Sequence, residues 1–297
     1  MTSPGDSVVG TRVGGFAVRD HGGSGPTALL LHGSGHNLEA WEPFVARVRD
    51  RLRLVAVDLR GHGRTMLESS DAEQYWRDIG PLVAGLGLRR PVLVGHSLGG
   101  YAATAFAASG GACAAVVAVD GFVPDPRERV EQETALRDQA EWERSLWEAF
   151  RYGWRASEAE LAEHLRSRPD PLGLYQGVDP AAVTALLRRS FVPDGAGGWL
   201  RRPTMDEIRR LSRAPEGEIY PSVEVYDRVT VPMLLVMASQ GFYWTRYEQM
   251  ARVAAAGGNR RLVTVEGGHN LVMQQPERLA EVVVDFVSSL PALVSED

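Results

Sequence analysis

The chain has 297 residues, of which 44% are hydrophobic and 24% are charged, a composition typical of a globular protein with a large core. Its formal net charge is −6 without a long basic run, so neither nucleic acid nor an anionic membrane surface is indicated as a partner. The single cysteine excludes an intrachain disulfide, and no apolar run reaches the ~18 residues that span a bilayer. The first ten residues do not resemble a secretory signal peptide, so we expect a cytoplasmic protein.

Residues 1–121 alternate between apolar strands and helices. We predict two short strands within residues 1–20 and longer strands at residues 27–31, 52–58, 91–95 and 114–120. Helices are predicted at residues 41–50, at 73–86 with a break near Gly80 and Pro81, and at 98–108. The strands are continuously apolar, so both of their faces are covered, as in the interior of a parallel sheet. Strand and helix in alternation predict right-handed βαβ crossovers.

The pattern changes in residues 122–228, where no buried strand is apparent. Helices are predicted there at residues 127–152, 157–166, 179–191 and 204–212. The βα alternation then returns, with strands at 231–238 and 261–265 and helices at 245–256 and 276–290. We therefore predict a core formed by residues 1–121 and 229–297, with residues 122–228 as a helical cap that lies over the sheet.

The most informative motif ends the strand at residues 91–95. Gly95-His96-Ser97-Leu98-Gly99 has the G-x-S-x-G spacing, in which small residues let the backbone turn sharply from strand to helix and leave the serine hydroxyl at the tip. A strand precedes the motif and a helix follows it, as the motif requires. Ser97 is therefore a candidate nucleophile, which needs a base because a serine hydroxyl is a weak nucleophile at neutral pH.

Four motifs at strand ends make the chain resemble an α/β-hydrolase along nearly its whole length. They are His32-Gly33-Ser34-Gly35, residues 58–64, the serine motif, and Gly267-Gly268-His269-Asn270 followed by residues 275–278. The resemblance implies a mostly parallel eight-stranded sheet flanked by helices, with the helical cap inserted after strand 6. It implies no cofactor and no metal, and a small molecule as the substrate.

The resemblance assigns His269 as the base, because the family places its catalytic histidine in such a turn. The acid commonly follows the seventh strand, but residues 239–244 contain no carboxylate, and Glu248 and Glu266 are poorly placed. Asp120 ends the sixth strand, where some members of this fold carry their acid, and the order Ser97, Asp120, His269 fits the fold. Two alternatives stay open: a Ser-His dyad helped by water or an amide such as Gln240, and an acid from another loop.

The resemblance also implies an oxyanion hole formed by the backbone N–H groups of Leu98 and Ser34. Aromatic side chains stand in the cap and after the seventh strand, which indicates an apolar or aromatic pocket beyond the carboxyl ends of the strands. The predicted substrate-binding residues are His32, Gly33, Gly35, His96, Trp142, Phe242, Tyr243 and Trp244.

The function predicted from these residues is a cofactor-independent serine hydrolase that cleaves an ester, thioester or lactone through an acyl-enzyme on Ser97. The same triad could instead perform C–C bond hydrolysis, haloperoxidase-like or perhydrolase chemistry, or acyl transfer, because fold does not fix the reaction. A ligand-binding receptor with weak or no turnover is an alternative of another class. The sequence does not distinguish a monomer from a homodimer.

Overall fold

The computed structural model of this chain describes residues 5–123, 139–212 and 223–290. The strands in these ranges are β1 (Asp6–Thr11), β2 (Gly14–Gly22), β3 (Thr27–Leu31), β4 (Arg53–Val57), β5 (Val92–His96), β6 (Ala115–Val119), β7 (Arg155–Ala156), β8 (Phe191–Pro193), β9 (Trp199–Arg201), β10 (Met233–Gln240) and β11 (Arg260–Gly268). Eight of them form one sheet in the order β1-β2-β4-β3-β5-β6-β10-β11. Strands β1 and β2 pair antiparallel with their neighbours, and all other pairs are parallel. The predicted fold class is confirmed.

Helices cover both faces of this sheet. The helices are α1 (Glu42–Val48), α2 (Gln74–Arg77), α3 (Ile79–Gly85), α4 (Leu98–Ala108), α5 (Gln139–Phe150), α6 (Glu158–Ser167), α7 (Pro180–Arg189), α8 (Met205–Ser212), α9 (Tyr247–Ala256), α10 (Leu271–Gln274) and α11 (Pro276–Ser288). Leu29 and Leu31 of β3 pack in one cluster with residues of α2, α3, α4 and α9, whereas Leu30 packs on the other face with residues of α1 and α11. Each fully buried leucine contributes roughly 1.5–3 kcal/mol, so the continuous apolar strands stabilise both layers.

The helix expected at residues 73–86 breaks close to Gly80 and Pro81, as predicted. It is interrupted at Asp78, between α2 and α3. Arg77, the last residue of α2, lies four residues before Pro81, and its carbonyl oxygen would accept the backbone N–H that a proline lacks. The missing donor therefore interrupts the helical hydrogen bonds at this point.

The segment between β6 and β10 contains α5, α6, α7 and α8, but it is not wholly helical. Strands β7, β9 and β8 form a small antiparallel sheet in that order, so the prediction that this segment contains no buried strand is wrong. These strands are two or three residues long, too short to show a hydrophobic period. The start of the first predicted helix, residues 127–138, lies outside the described residues. The division into core and cap stays a prediction.

The parallel arrangement determines where the sequence motifs meet. Because the strands from β3 to β11 in the main sheet run in the same direction, the loops that follow β3, β4, β5, β6, β10 and β11 all lie at one edge. In the part of the chain that the structure describes, no helix is both long and apolar enough to cross a membrane.

Candidate active site

Ser97 lies at the turn between β5 and α4 in a backbone conformation that few side chains adopt. Its φ of 49° and ψ of −116° are unusual for a residue other than glycine. The flanking glycines permit the close backbone approach that this turn requires. A Cβ at Gly95 would lie 2.1 Å from the carbonyl oxygen of Gly99, and a Cβ at Gly99 would lie 2.1 Å from that of Leu31. The G-x-S-x-G spacing thus has a steric basis here, and the turn presents Ser97 at the N-terminus of α4.

Ser97, His269 and Asp120 form one hydrogen-bonded chain. The Nε2 atom of His269 lies 3.1 Å from Ser97 Oγ, and its Nδ1 atom lies 2.7 Å from Asp120 Oδ2. Asp120 is fully buried, and its other carboxylate oxygen accepts a hydrogen bond from the backbone N–H of Ala238 at 3.0 Å. Asp120 accepts a hydrogen bond from the N–H of Nδ1, which leaves Nε2 as the acceptor for the hydroxyl group of Ser97.

The strand order explains how Asp120 reaches the histidine. Strand β6 lies between β5 and β10, so the backbone N–H of Ser97 donates to Val119 at 3.0 Å and that of Asp120 donates to Val236 at 2.7 Å. The loop after β10, which has no carboxylate, packs its backbone against Asp120. A Cβ at Gly241 would lie 2.3 Å from Asp120 Oδ2. This geometry favours Asp120 over the dyad with Gln240 and over an acid from another loop.

The loop after β3 lies beside the nucleophile. A Cβ at Gly33 would lie 2.8 Å from His96 Nδ1 and 3.1 Å from Ser97 Cβ, so a larger residue there would require the His96 ring to shift. Ser34 is exposed, and Leu98 is the first residue of α4. Among the described residues, no hydrogen bond uses the backbone N–H of Ser34 or of Leu98. Both N–H groups are therefore unoccupied donors next to Ser97, and their role in an oxyanion hole stays a prediction.

Two of the predicted substrate-binding residues, His32 and His96, lie beneath the site and are buried. His32 Nδ1 lies 2.8 Å from the carbonyl oxygen of Gly33, and Nε2 accepts the N–H of Leu59 at 2.9 Å. His96 Nε2 lies 2.9 Å from the carbonyl oxygen of His269. Burial lowers the pKa of His96 to about 3, so its ring is neutral and donates to that carbonyl. Both histidines support the loops that carry the site.

The aromatic residues after β10 differ in how close they come to the triad. The Phe242 ring stacks on His269 at 4.0 Å between centroids and is more than half exposed. Tyr243 lies 6.1 Å from His269 and packs edge-on against Phe122. Trp244 is 42% exposed and packs against Tyr247 instead. The structure thus brings Phe242 and Tyr243 to the site but not Trp244. The side chain of Trp142 lies outside the described residues.

The sequence analysis did not identify Tyr152 or His36 as part of this region. The Tyr152 side chain hydrogen-bonds that of Ser34, and burial raises the pKa of Tyr152 to about 12. His36 is buried and stacks on His96 at 5.8 Å. Tyr152 follows α5, and no local pattern connects it with a loop so far away in the sequence. Nor does the structure contain, among its described residues, a cluster of His, Cys, Asp and Glu that could hold a metal ion.

Comparisons with known proteins identify the family of this chain. The model of the alpha/beta hydrolase family matches residues 28–282. The 2-(acetamidomethylene)succinate hydrolase of Mesorhizobium japonicum is 28% identical over 279 residues, which cover 90% of each chain. The crystal structure of E-2-(acetamidomethylene)succinate hydrolase superposes with a TM-score of 0.75 at 25% identity, covering 96% of this chain and 100% of the other.

A further relative is similar over a shorter stretch. Protein phosphatase methylesterase 1 of Mus musculus is 43% identical over 102 residues, which are 32% of this chain. The match spans only 26% of the length of that methylesterase. The family match, in contrast, extends over most of the chain and includes Ser97, Asp120 and His269. This chain therefore belongs to the alpha/beta hydrolase family and is an enzyme of the hydrolase class.

Proposed function

We propose that this enzyme is a cofactor-independent serine hydrolase that cleaves an ester, thioester or lactone of an apolar or aromatic small molecule. The observation that carries the proposal is the hydrogen-bonded chain from Ser97 Oγ through His269 to the buried carboxylate of Asp120. A nucleophile, a base and a group that orients the base are the parts that acyl transfer requires.

In the first half-reaction Ser97 Oγ attacks the carbonyl carbon of the substrate, and its proton passes to His269 Nε2. Asp120 stabilises the imidazolium that forms, through the 2.7 Å hydrogen bond to Nδ1. The carbonyl oxygen becomes an oxyanion, which the N–H groups of Ser34 and Leu98 bind. Loss of one such donor costs roughly 3 kcal/mol in comparable sites, so the loop after β3 contributes to catalysis alongside the triad side chains.

The intermediate then collapses to the acyl-enzyme, and the leaving group takes the proton from Nε2. In the second half-reaction a water molecule gives a proton to His269 and attacks the acyl carbon. The acid product leaves when the Ser97–acyl bond breaks and Oγ recovers its proton. Every proton moves through the same nitrogen atom, so no cofactor is needed for either half.

The nature of the substrate is inferred from the side chains next to the triad. The exposed Phe242 ring is stacked on the imidazole, and Tyr243 lies next to it, so a bound molecule meets aromatic surface on this side. Such surface favours an apolar acyl chain or an aromatic leaving group. We expect 4-nitrophenyl esters of medium-chain acids to be hydrolysed faster than small polar esters, and the opposite preference would contradict this part of the proposal.

The decisive test of the chemistry is Ser97→Ala. It should lower kcat by about 10⁴- to 10⁶-fold and abolish covalent labelling by a fluorophosphonate, because Ser97 Oγ is the hydroxyl that His269 Nε2 contacts. Ser239→Ala is the matched control, since it removes a serine near the end of strand β10 without touching the proposed nucleophile. Persistent turnover or labelling in Ser97→Ala would contradict the proposal.

The alternative reactions would use the same Ser97 nucleophile, so substitution of Ser97 does not separate them. Their products do. Mass spectrometry of the products separates hydrolysis from acyl transfer and from perhydrolase chemistry. The absence of a carboxylate after β10 favours the interpretation as a ligand-binding receptor. Asp120 lies beside His269 Nδ1, however, and can serve as the acid in its place.

A further inference from the structure

Arg201, the last residue of β9, is a buried cation without a counter-charge. It is 2% exposed. Nε donates to the carbonyl oxygen of Phe150 at 3.1 Å, and Nη2 donates to that of Gly35 at 3.3 Å, whereas Nη1 has no partner. No aspartate or glutamate of the described residues pairs with it. The guanidinium thus connects the end of α5 with the loop after β3 and retains an unused donor group.

The other deeply buried arginines differ in this respect. Arg189 pairs with Asp58 at 2.9 Å, and Arg202 lies 3.8 Å from Glu207. Burying a charge costs several kcal/mol unless an opposite charge and hydrogen bonds offset the cost. The fold supplies that charge to Arg189 and Arg202 but not to Arg201. A buried arginine with unused N–H groups is what a protein presents to an anion that comes from outside.

Arg201 lines a small cavity together with other polar groups. The Nε2 atom of His164, which also lines the cavity, is buried and has no partner, and burial lowers the pKa of His164 to about 4. The Asp170 carboxylate lies on the same wall, but its two oxygens accept the N–H groups of Leu174 and Tyr175. The cavity has room for about one water molecule, and therefore for a single oxygen atom of a ligand, and both residues with an unpartnered nitrogen line it.

The position of Arg201 relative to the nucleophile follows from the loop after β3. The carbonyl that accepts from Nη2 belongs to Gly35, and Gly33 of the same loop lies against Ser97. Two residues span at most about 7 Å, so a short stretch of backbone separates the guanidinium from the proposed reaction centre. A substrate bound to Ser97 and lying along this loop would extend toward Arg201.

We propose that Arg201 binds a carboxylate that the substrate carries in addition to the bond that is cleaved. The inference rests on the serine hydrolase activity proposed above and narrows its substrates to half-esters of dicarboxylic acids or esters of similar charge. One carboxylate oxygen accepts from Arg201 Nη1 and from neutral His164, and it supplies the negative charge that the fold omits. The apolar part of the substrate meets the aromatic surface around Phe242.

A binding experiment tests the anchor without any turnover. Ser97→Ala is titrated with adipate and, separately, with the neutral adipamide, and heat is measured by calorimetry. We expect binding of adipate but not of adipamide, and loss of adipate binding when Arg201→Met is added. The matched control is Arg188→Met, which removes an exposed cation that stacks on Trp199 next to the same strand. Absence of adipate binding to Ser97→Ala, or binding that survives Arg201→Met, would overturn the anchor.

A kinetic experiment then locates the anion on the substrate. Two charged 4-nitrophenyl esters, the hemiadipate and the hemisuberate, are compared by kcat/KM with the uncharged hexanoate and octanoate esters, first in the wild type. Arg201→Met should lower the ratio of kcat/KM for the charged ester to kcat/KM for the uncharged ester by about 10- to 100-fold. This is the range expected for loss of a hydrogen bond to a charged group. Arg201→Lys should restore part of the ratio. Arg188→Met should leave the ratio unchanged.

The outcomes separate the two proposals. An equal loss on all four esters, or a lower Tm as the only effect, would show that Arg201 only holds the loops together and would overturn the anchor. Acceleration of hexanoate hydrolysis by free adipate would overturn it as well, because the anion would then be a separate ligand. Adipate binding that depends on Arg201 in a protein without esterase activity would retain the anchor and contradict the proposed hydrolysis.

Discussion

Two polar clusters lie at the same edge of the sheet. Both contain a buried aspartate and histidine, but the aspartates have different partners. The β4-end cluster consists of Asp58, His32, His62 and Arg189, whereas the β6-end cluster consists of Ser97, Asp120 and His269. Both aspartates follow a parallel strand and are fully buried. In the first cluster the acceptors of Asp58 are occupied by Arg189 and by the N–H groups of Leu38 and Arg64. In the second cluster Asp120 holds a histidine whose other nitrogen faces a half-buried serine.

The difference shows that the role of an aspartate after a β-strand depends on the groups it contacts and not on its position after the strand. Asp58 binds main-chain N–H groups and a buried cation, so it fixes the path of two loops. Asp120 binds one main-chain N–H and one imidazole, so it fixes a side chain that can move a proton. Four substitutions test this division, from the largest expected effect to the smallest.

Asp120→Asn should lower kcat by about 10⁴-fold with little change in Tm, because an amide at this position favours the wrong tautomer of His269. Steady-state kinetics and thermal unfolding of the same preparation measure both quantities. Covalent labelling of Ser97 should slow in parallel. A kcat close to the wild-type value would exclude Asp120 as the acid and favour the dyad or another carboxylate.

Asp58→Asn should produce the reverse result, a loss of about 3–5 kcal/mol in the free energy of unfolding with kcat retained in the folded protein. The loss arises because Arg189 loses the fully buried carboxylate that pairs with its Nε atom and keeps only the ion pairs of Nη1 with Asp6 and Glu39. Urea unfolding gives the free energy, and kinetics at low temperature gives kcat. Adding Arg189→Met should recover part of the stability, since the buried guanidinium that has lost the Asp58 carboxylate is then removed. A large fall in kcat without a fall in stability would contradict the assignment.

Gly241→Ala should lower kcat by about 100-fold while the ester preference is unchanged. The new Cβ would lie 2.3 Å from Asp120 Oδ2, and a displacement of about 1 Å in a catalytic group costs this much. Gly258→Ala is the matched control, because a Cβ there meets no atom within 4 Å. Equal activity of the two variants would show that the loop after β10 does not hold Asp120 in place.

His62→Gln should make the protein less sensitive to acid. Burial lowers the pKa of His62 to about 4, so between pH 6.5 and 4 the unfolded chain takes up a proton that the folded protein does not. The stability is therefore complete above pH 6.5 and decreases by about 1.4 kcal/mol per pH unit for this histidine as the pH falls. Urea unfolding at pH 7.0, 6.0 and 5.0 should show a shallower decrease in His62→Gln, and identical slopes would contradict the assigned cause.

Much of the fold can be predicted from the sequence because local patterns of residues determine the strands and helices. The continuous apolar run at Thr27–Leu31 predicts a buried parallel strand, which forms with the same bounds. The pattern fails for β7, β8 and β9, whose few residues show no period. The helix start at Ser157 is recognisable because a capping box is local, and its bonds to Glu160 are present.

The residues of the candidate site also fall into those that local motifs predict and those that the tertiary structure identifies. Ser97 and His269 stand in turns whose glycines and preceding strands can be read directly from the sequence, so short motifs and a family resemblance suffice to propose the nucleophile and the base. The sequence by itself thus determined the fold class, the family and two members of the proposed triad, because strand hydrophobicity and turn chemistry act over a few neighbouring residues.

Only the tertiary structure decided which carboxylate faces His269 and which arginine lacks a counter-charge. The sequence favours Asp120 by its place between Ser97 and His269, but it leaves a dyad and another carboxylate open. Arg201 and Arg202 are adjacent, and nothing in the sequence distinguishes them. The strand order places β6 between β5 and β10, and the packing of the segment after β6 brings Arg201 to the carbonyl of Gly35. The physical reason is that hydrogen bonds and ion pairs form between residues far apart in the chain, and no local pattern records the distance between them.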